Sequence, residues 1–431
     1  MPPDALYLHL PFCVARCPYC DFVVYAGGDA RGPRARTERL YEAVGRELEL
    51  RADALDERFG RAASGGPRTT LRSVYFGGGT PSLVPGEWLE RLMALVRERF
   101  GLAPDAEVTL EANPGSEDRG DPAGFRRAGV TRISFGAQSL DAGELRRLGR
   151  RHSPEDVAAA VAEARAAGIG SVNLDLLYDL PGGSVAAWEA TLRTALALAP
   201  DHLSLSALTL DDPDAEGLTG RDGDHLLTPP GARRWRERAR LGQDDDRAAD
   251  QYCLATDLLA ERGWHGYEIS NWARPGHESR HNLAYWERRP YEAVGPGAHA
   301  FDGATRRWNA AAMEPYIAAL VPAHGAAVAR RPRTDAAGSG WRSATGRIPE
   351  LPPGGMERLG PEQIAAEEVI LALRLDYGVD EATASRPPLN GVREWAESVG
   401  LLEVVVLDGQ PRVRLTTRGR LLSNELFARL V

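Results

Sequence analysis

The sequence LHLPFCVARCPYC at residues 8–20 places Cys13, Cys17 and Cys20 on one short stretch. It directly follows the apolar run ALYLHL at residues 5–10, which predicts a strand. Three thiolates on one loop suit an iron–sulfur cluster, and they leave one iron of a [4Fe-4S] cluster without a protein ligand. The amino and carboxylate groups of S-adenosylmethionine (SAM) can chelate that iron. The spacing therefore predicts a [4Fe-4S] cluster that binds SAM.

The alternative for this loop is a structural zinc site. Such sites take four ligands, usually as two pairs of cysteines or histidines. The sequence offers no fourth Cys or His near the loop except His9, which lies in the predicted strand. With only four cysteines in 431 residues, a disulfide framework is not expected. The remaining thiol, Cys253, is interpreted as a buried cysteine of a helix.

Strand-like and helix-like segments alternate from the N-terminus to about residue 210. The strand-like runs lie at residues 5–10, 72–79, 107–114, 131–139, 171–182 and 202–210. Helical periodicity occurs between them, at residues 37–59, 86–100, 154–167 and 185–198. Six strand–helix repeats predict an α/β fold with a parallel sheet that closes partly into a TIM-like (βα)6 barrel.

Polar or glycine-rich residues follow these strands or lie within them. They are the three cysteines, the run Gly77–Pro81, Glu111, Gln138 and Asp175. Because α/β barrels build their active sites at the carboxyl ends of the strands, we expect these motifs to meet at one mouth. The glycines would let the backbone approach SAM, although a glycine run by itself equally predicts a tight turn. Arg150 and Asp175 fit structural salt bridges equally well.

The remainder of the chain predicts a second, smaller domain. Residues 211–246 predict a long loop before a helix at 248–262. Residues 1–325 are assigned to the barrel, 326–360 to a Pro/Gly-rich linker and 361–431 to a C-terminal module. In that module, helices at 364–374 and 391–399 precede a hairpin at 402–416 that turns at Asp408-Gly409. This order predicts a helical, winged-helix-like domain.

A group of imidazole and aromatic side chains lies at residues 281–286, HNLAYW. His281 can ligate heme iron, with Tyr285 and Trp286 against the porphyrin and Arg280 available to a propionate. The alternative is that both aromatics belong to the core and His281 only donates or accepts hydrogen bonds. The spacing alone does not choose between these interpretations.

The charge balance and the apolar pattern restrict the partners and the location. A net charge of −9 gives no indication of a basic surface that would bind nucleic acid. The N-terminal residues lack the basic and apolar regions of a secretory signal, and no apolar run is long enough for a transmembrane segment. We expect a cytoplasmic protein that reaches a membrane only through a partner.

These motifs resemble the oxygen-independent coproporphyrinogen III oxidase-like radical SAM family. The resemblance rests on LHLPFCVARCPYC, YFGGGTPS, LEANPG, ISFGAQS, LDLLYDLPG and HNLAYW. Within the family, the chain is more similar to the HemW-type heme chaperone branch than to the oxidase. Phe22 stands where the oxidase has a further cysteine, only twelve residues precede Cys13, and HNLAYW reproduces the His-Asn-x-x-Tyr-Trp motif of the chaperone branch.

The resemblance implies a chaperone that binds heme through His281 and passes it to an apo-hemoprotein, expected to be respiratory, with an electron donor for the cluster. It implies that a first SAM contacts Tyr7, Tyr19, Gly78, Glu111, Thr209 and Ala298. It places the second SAM pocket of the oxidase on Gly79, Thr80, Gln138, Arg150 and Asp175. The alternatives are radical decarboxylation of coproporphyrinogen III propionates, or another radical SAM reaction on a tetrapyrrole. Whether the protein is an enzyme therefore stays open.

Overall fold

The computed structural model describes residues 1–29, 36–62, 68–210, 223, 225–321 and 351–431. Up to residue 210 its elements are β1 (Ala5–Leu10), β2 (Phe12–Cys13), β3 (Tyr25–Ala26), α1 (Thr37–Phe59), β4 (Leu71–Gly78), α2 (Gly86–Arg99), β5 (Leu102–Ala112), α3 (Pro122–Ala128), β6 (Arg132–Gln138), α4 (Ala142–Arg147), α5 (Pro154–Ala166), β7 (Ser171–Tyr178), α6 (Val185–Ala197) and β8 (His202–Ala207).

The next elements extend the barrel region. They are α7 (Pro230–Arg240), α8 (Asp245–Ala260), β9 (His265–Gly266), β10 (Asn271–Ala273), α9 (Arg280–Trp286), β11 (Tyr291–Val294), β12 (His299–Phe301), β13 (Thr305–Asn309), α10 (Met313–Leu320) and β14 (Gly354–Arg358). The C-terminal elements are α11 (Pro361–Arg374), β15 (Val379–Asp380), α12 (Glu381–Ala384), α13 (Arg393–Ser398), β16 (Leu402–Leu407), β17 (Gln410–Leu415), α14 (Thr417–Leu421) and α15 (Ser423–Phe427).

A twelve-stranded sheet forms the barrel, in the order β14-β13-β12-β11-β1-β4-β5-β6-β7-β8-β10-β9. The strands from β11 to β8 in this order pair in parallel. The six predicted strands are β1 and β4 to β8, and they are neighbours in chain order. The predicted α/β, TIM-like partial barrel is therefore confirmed. Strands β12, β13 and β14 extend it by antiparallel pairing beyond β11.

The two faces of the parallel strands differ in polarity. In β7, Val172 and Leu174 belong to the hydrophobic core that also contains the inner sides of the surrounding helices. Between them Asn173, although buried, bonds to Ser134 of β6 and His202 of β8. Since side chains alternate along a strand, the apolar residues face the helices and the polar residues line the barrel interior.

Local sequence explains where the helices begin. At the start of α5, the Ser153 hydroxyl accepts a hydrogen bond from the Asp156 backbone N–H, and the Asp156 carboxylate accepts one from the Ser153 backbone N–H. Pro154 occupies the first helical position, where no backbone N–H is needed. This capping box sets the boundary that the sequence pattern predicts at Pro154.

Two predictions about the region after β8 need correction. The predicted loop at 211–246 is wrong for its second part, because Pro230–Arg240 forms α7. Proline at the first position and the buried side chains Arg236 and Ala239 on one side are typical of a helix, but the many arginines conceal its narrow apolar face. Residues 211–222 and 224 lie outside the described residues. Cys253 does lie in a helix, α8, but it is half-buried instead of buried.

The C-terminal module contains a three-stranded sheet, β15-β17-β16, packed with short helices around its own core. The predicted hairpin is present, and its turn residues Asp408 and Gly409 have φ values of 49° and 77°. Most of the predicted linker lies outside the described residues, but Gly354–Arg358 forms β14 and pairs with β13. The exact domain boundary stays a prediction. None of the helices in the described ranges is long and apolar enough to cross a membrane.

Candidate cofactor site at the mouth of the barrel

The cysteine loop, residues 13–20, lies at the carboxyl end of β1. It is held by backbone hydrogen bonds to the glycine run that ends β4. The Gly79 N–H donates to the Leu10 carbonyl at 2.9 Å, and the Thr80 N–H donates to the Phe12 carbonyl at 2.8 Å. A Cβ atom on Gly79 would lie 2.6 Å from the carbonyl carbon of Pro11. Only glycine therefore fits there, and the run supports the cysteine loop directly.

Three polar side chains connect two of the cysteines. The Thr80 hydroxyl donates to Cys13 Sγ at 3.3 Å, and Arg150 Nη1 donates to Cys17 Sγ at 3.4 Å. Asn113 joins them, since its amide nitrogen lies 3.0 Å from Thr80 Oγ1 and its oxygen accepts from Arg150 Nη2 at 2.6 Å. Thr80 and Arg150, predicted for a second SAM pocket, therefore contact the cysteines. Asn113 was missed, although it lies in the LEANPG motif.

The charges around the loop fit a bound iron cluster. Burial raises the pKa of Cys13 to about 12 and that of Cys20 to about 11, so these thiols are protonated unless a cationic centre binds them. Arg150 brings a buried positive charge to Cys17. Its Nε atom is buried without a hydrogen-bond partner among the described residues.

The arrangement does not suit a single metal ion. Within the described ranges, no group of three or more His, Cys, Asp or Glu side chains is placed to hold one ion. Zinc draws its ligands around one centre, whereas a [4Fe-4S] cluster bonds each thiolate to a different iron and so spreads them apart. The donor set therefore fits the cluster better than it fits zinc.

Helix α7 contacts the cysteine loop through the side chain of Arg236. Arg236 is only 2% exposed and donates to the carbonyls of Pro18 and Cys20 at 3.1 and 3.2 Å and to the Asp21 carboxylate at 2.5 Å. The centroid of the Tyr19 ring, predicted to contact the first SAM, lies 6.3 Å from that of Trp235 on α7. Arg236 was not predicted, because this helix was expected to be part of a loop.

Most of the residues predicted for the first SAM meet beside the loop. Glu111 accepts hydrogen bonds from the Gly78 backbone N–H at 3.0 Å and from the Tyr75 hydroxyl at 2.8 Å. Tyr7 stacks on Tyr75 with ring centroids 6.1 Å apart and packs against Ala298. Burial raises the pKa of Glu111 to about 7. Tyr75 was missed, although strand alternation places it on the face of Gly77.

The other predicted SAM residues occupy different environments. Gln138 ends β6 beyond a register shift and has φ of 66°, a strained value for a residue other than glycine. Asp175 accepts hydrogen bonds from Asn173 at 2.7 Å and Ser134 at 3.0 Å, and burial raises its pKa. These partners are neutral side chains of the barrel interior. Thr209 lies exposed just after β8.

His281, on α9, is buried beside strand β4. Only 1% of the residue is exposed, and its two ring nitrogens lie 3.0 Å from Ser73 Oγ and 2.8 Å from the Tyr285 hydroxyl. Burial lowers the pKa of His281 to about 3, so the imidazole is neutral. The neighbouring Arg280 pairs with Asp105 at 2.9 Å on the surface. The heme contacts predicted for His281 and Arg280 stay a prediction.

A cavity of about 460 Å³, here called the mouth cavity, opens beside the cysteine loop. Its walls include Tyr7, Phe22, His225, Tyr285, Trp286 and His299. The two predicted aromatics of HNLAYW therefore line a cavity, whereas His281 does not. His225 and His299 were not predicted, although His299 directly follows Ala298, which was predicted to contact SAM.

Comparisons with known proteins agree with this architecture. Residues 7–195 match the model of the Radical SAM superfamily. The heme chaperone HemW of Mycobacterium tuberculosis (strain ATCC 25618 / H37Rv) is 38% identical over 432 residues, which cover 100% of this chain and 95% of the relative. HemW of Synechocystis sp. is 31% identical over 451 residues, covering 99% and 96%. The fold is also similar to that of coproporphyrinogen III oxidase (HemN) from Escherichia coli, with a TM-score of 0.71, 20% identity and coverage of 100% and 90%. Since the similarity to HemW extends over the full chain, this protein belongs to the HemW family of radical SAM proteins.

Proposed function

We propose that this protein is a heme chaperone, which binds heme and transfers it to apo-hemoproteins, and that its cysteine loop carries a [4Fe-4S] cluster with SAM. The observation that carries the proposal is the mouth cavity, whose walls combine aromatic rings and imidazoles beside the cysteine loop. Aromatic side chains suit a porphyrin, and an imidazole suits its iron. Relatives named heme chaperone HemW support the same function.

The cysteine loop would hold the cluster through Cys13, Cys17 and Cys20. When bound, the cluster and SAM supply one-electron chemistry, for which a separate electron donor is required. The carboxyl of Glu111 and the Gly78 backbone lie where they can orient the polar groups of SAM. This assignment makes the barrel mouth a SAM site in addition to a heme site.

We propose one SAM site instead of two. The Gly79 backbone and the side chains of Thr80 and Arg150 use their hydrogen-bonding groups to hold the cysteine loop and its thiols. Asp175 bonds to side chains of the barrel interior. The residues that the oxidase would use for a second SAM therefore already have structural partners here.

Phe22 favours a carrier over the oxidase. It stands where the oxidase has a further cysteine, it is 64% exposed, and it lines the mouth cavity. An exposed aromatic ring at a cavity rim can cover an apolar ligand that must later leave. The oxidase, which decarboxylates the propionates of coproporphyrinogen III, remains the alternative for the experiment to exclude.

The test compares three activities of one preparation. The protein is reconstituted anaerobically with iron and sulfide, titrated with heme, mixed with an apo-hemoprotein, and assayed for coproporphyrinogen decarboxylation. We expect heme to bind one to one and to move to the acceptor, without porphyrin turnover. A Cys13→Ser/Cys17→Ser/Cys20→Ser variant is the control, and it should lose the cluster while still binding heme. Absence of heme binding, or turnover of coproporphyrinogen, would contradict the chaperone proposal.

A further inference from the structure

The imidazole of His281 is held from two sides. Its Nδ1 atom lies 3.0 Å from the hydroxyl oxygen of Ser73, and its Nε2 atom lies 2.8 Å from that of Tyr285. Ser73, on β4, is only 1% exposed, whereas Tyr285 lines the mouth cavity. One ring nitrogen therefore bonds to the barrel interior, and the other bonds to a side chain of the cavity wall.

The two hydroxyl groups differ in acidity, and this difference decides the proton positions. A neutral imidazole has one N–H donor and one nitrogen that accepts. A phenol is intrinsically more acidic than an aliphatic hydroxyl, so it is the stronger hydrogen-bond donor. The Tyr285 hydroxyl is therefore assigned as the donor to Nε2, and the Nδ1–H group as the donor to Ser73 Oγ. In this tautomer the lone pair of His281 is on Nε2, the nitrogen next to the cavity wall.

Neighbouring groups keep the ring in this orientation. The ring centroids of Tyr75 and Tyr7 lie 5.0 and 6.4 Å from that of His281. The backbone N–H of His281 donates to the Glu107 carboxylate at 3.2 Å. Turning the imidazole would break both of its ring hydrogen bonds and leave the buried Ser73 hydroxyl without this partner. The direction of Nε2 is thus set before a ligand binds.

The Tyr285 hydroxyl occupies the place of a ligand on Nε2. Among the described contacts this hydroxyl bonds only to His281, so moving it aside breaks one hydrogen bond and frees the lone pair. A histidine that ligates a metal almost always donates its other ring N–H to an acceptor, which fixes the tautomer and raises the basicity of the ligand. Ser73 Oγ is placed to be that acceptor.

We propose that Ser73 is a positioning residue of the heme site, which holds His281 as the Nδ1–H tautomer so that Nε2 can bind heme iron when the Tyr285 hydroxyl moves aside. This inference rests on the proposed function and on the heme ligation predicted for His281. It adds β4 to the heme site and makes the Tyr285 hydroxyl a group that heme displaces.

The test compares the heme-loaded wild type with Ser73→Ala. Without the acceptor for Nδ1–H, His281 becomes a weaker donor to the iron. We expect the iron–histidine stretching frequency of the ferrous protein, measured by resonance Raman spectroscopy, to fall. The heme reduction potential should rise, and the dissociation constant for heme should increase about tenfold. Ser73→Thr keeps the hydroxyl and should restore the wild-type values.

Ser204→Ala is the matched control. Ser204, on β8, bonds to Asn173 in the barrel interior instead of to His281. This variant should keep the wild-type frequency, potential and affinity. Circular dichroism establishes that each variant is folded.

Tyr285→Phe tests the other side of the imidazole. It keeps the aromatic ring at the cavity wall but removes the hydroxyl that heme has to displace. We expect heme to bind about fivefold more tightly, which corresponds to one hydrogen bond.

The outcomes separate the two proposals. If the wild type binds no heme, the proposed function fails. If folded Ser73→Ala keeps the wild-type frequency, potential and affinity, or if Ser204→Ala changes them equally, the role of Ser73 is overturned while the chaperone function stands. An unchanged heme spectrum in His281→Ala overturns the inference as well, because heme then has another ligand. Should Ser73→Ala not fold, Tyr285→Phe decides, since heme binding no tighter than that of the wild type contradicts the displacement of its hydroxyl.

Discussion

The carboxyl group of Glu111 lies at the carboxyl end of β5, in the barrel mouth. It accepts hydrogen bonds from the Tyr75 hydroxyl and the Gly78 backbone N–H, yet burial still dominates and raises its pKa from 4.5 to about 7. A carboxyl in this range can be neutral or charged near neutral pH, and a positively charged ligand would favour the charged form. Glu111 is therefore suited to meet the ammonium of SAM.

This pKa predicts the pH dependence of stability. Between about pH 4.5 and 7 the folded protein binds the Glu111 proton more tightly than the unfolded chain does, so the free energy of unfolding falls as the pH rises. We expect the wild type to lose about 2.5 kcal/mol relative to Glu111→Gln between pH 5 and pH 8. Urea unfolding without SAM at both pH values measures this difference.

The control for this measurement is Glu117→Gln. Glu117 pairs with Arg151 on the surface, with both side chains more than half exposed. It should leave the pH dependence of the wild type unchanged. Parallel stability curves for the wild type and Glu111→Gln would show that Glu111 ionises normally in the folded protein.

At the scale of elements, α7 and the glycine run hold the cysteine loop from two sides. The glycine run bonds to the backbone of residues 10 and 12, before the first cysteine. Helix α7 bonds through Arg236 to residues 18, 20 and 21, around the last cysteine. The loop is thus fixed at both ends by elements distant in sequence, which keeps the three thiols in place for a cluster.

Substituting the buried arginine should loosen one of these anchors. Arg236→Ala removes the hydrogen bonds that this charged group donates to Pro18, Cys20 and Asp21, which we expect to cost about 2 to 3 kcal/mol of stability. The reconstituted variant should hold less iron and lose its cluster faster to a chelator, as followed by the cluster absorbance. Arg236→Lys should recover only part of the loss, because an ammonium cannot reproduce the planar fork of the guanidinium.

Arg238→Ala serves as the control on the same helix. Arg238 is exposed and bonds only to the Arg234 carbonyl among its described contacts. Cluster lifetime in this variant should equal that of the wild type. If Arg236→Ala also retained its cluster at the wild-type rate, α7 would have no part in holding the loop.

At the scale of the whole molecule, the C-terminal module docks on the strand segment after α8. Glu268 is fully buried and pairs with Arg374 of α11 at 3.4 Å. The same Arg374 stacks on Trp286 at the mouth cavity. His265 adds a second link, with its Nε2 atom 2.6 Å from the Asp376 carboxylate. Arg374 therefore couples the module to the cavity wall.

Removal of this arginine should weaken the whole assembly. Arg374→Ala leaves the buried Glu268 carboxylate without its charged partner, so we expect a loss of about 2 to 4 kcal/mol. Urea unfolding measures the loss, and heme titration should show weaker binding because Trp286 loses its stacking partner.

Arg429→Ala is the matched control for Arg374→Ala. Arg429 also stacks on a tryptophan, Trp395, but it pairs with the exposed Glu425. The control should cost about 1 kcal/mol or less. Equal losses in both variants would argue against the docking role of Arg374.

The cysteine spacing, the six strands and the glycine run were predictable from local sequence. Alternation, capping residues and turn residues act over a few positions, so the places of the six strands along the chain and the hairpin at Asp408-Gly409 followed from nearby residues. The same alternation could have indicated Tyr75, since it shares a strand face with Gly77. Helix α7 was not predicted, because its buried residues are only Arg236 and Ala239, which give no apolar periodicity that a sequence pattern could detect.

Local pattern therefore settled the fold class, the cysteine loop and the residues at the strand ends. Only the tertiary structure decided which partner each polar group takes. Thr80 and Arg150 turn toward the thiols because Asn113, more than thirty residues from each, joins them. His281 turns inward because Ser73, on a strand more than two hundred residues away, bonds to it, while His299 faces the cavity. Hydrogen bonding and burial depend on neighbours in space, and spacing along the chain does not contain that information.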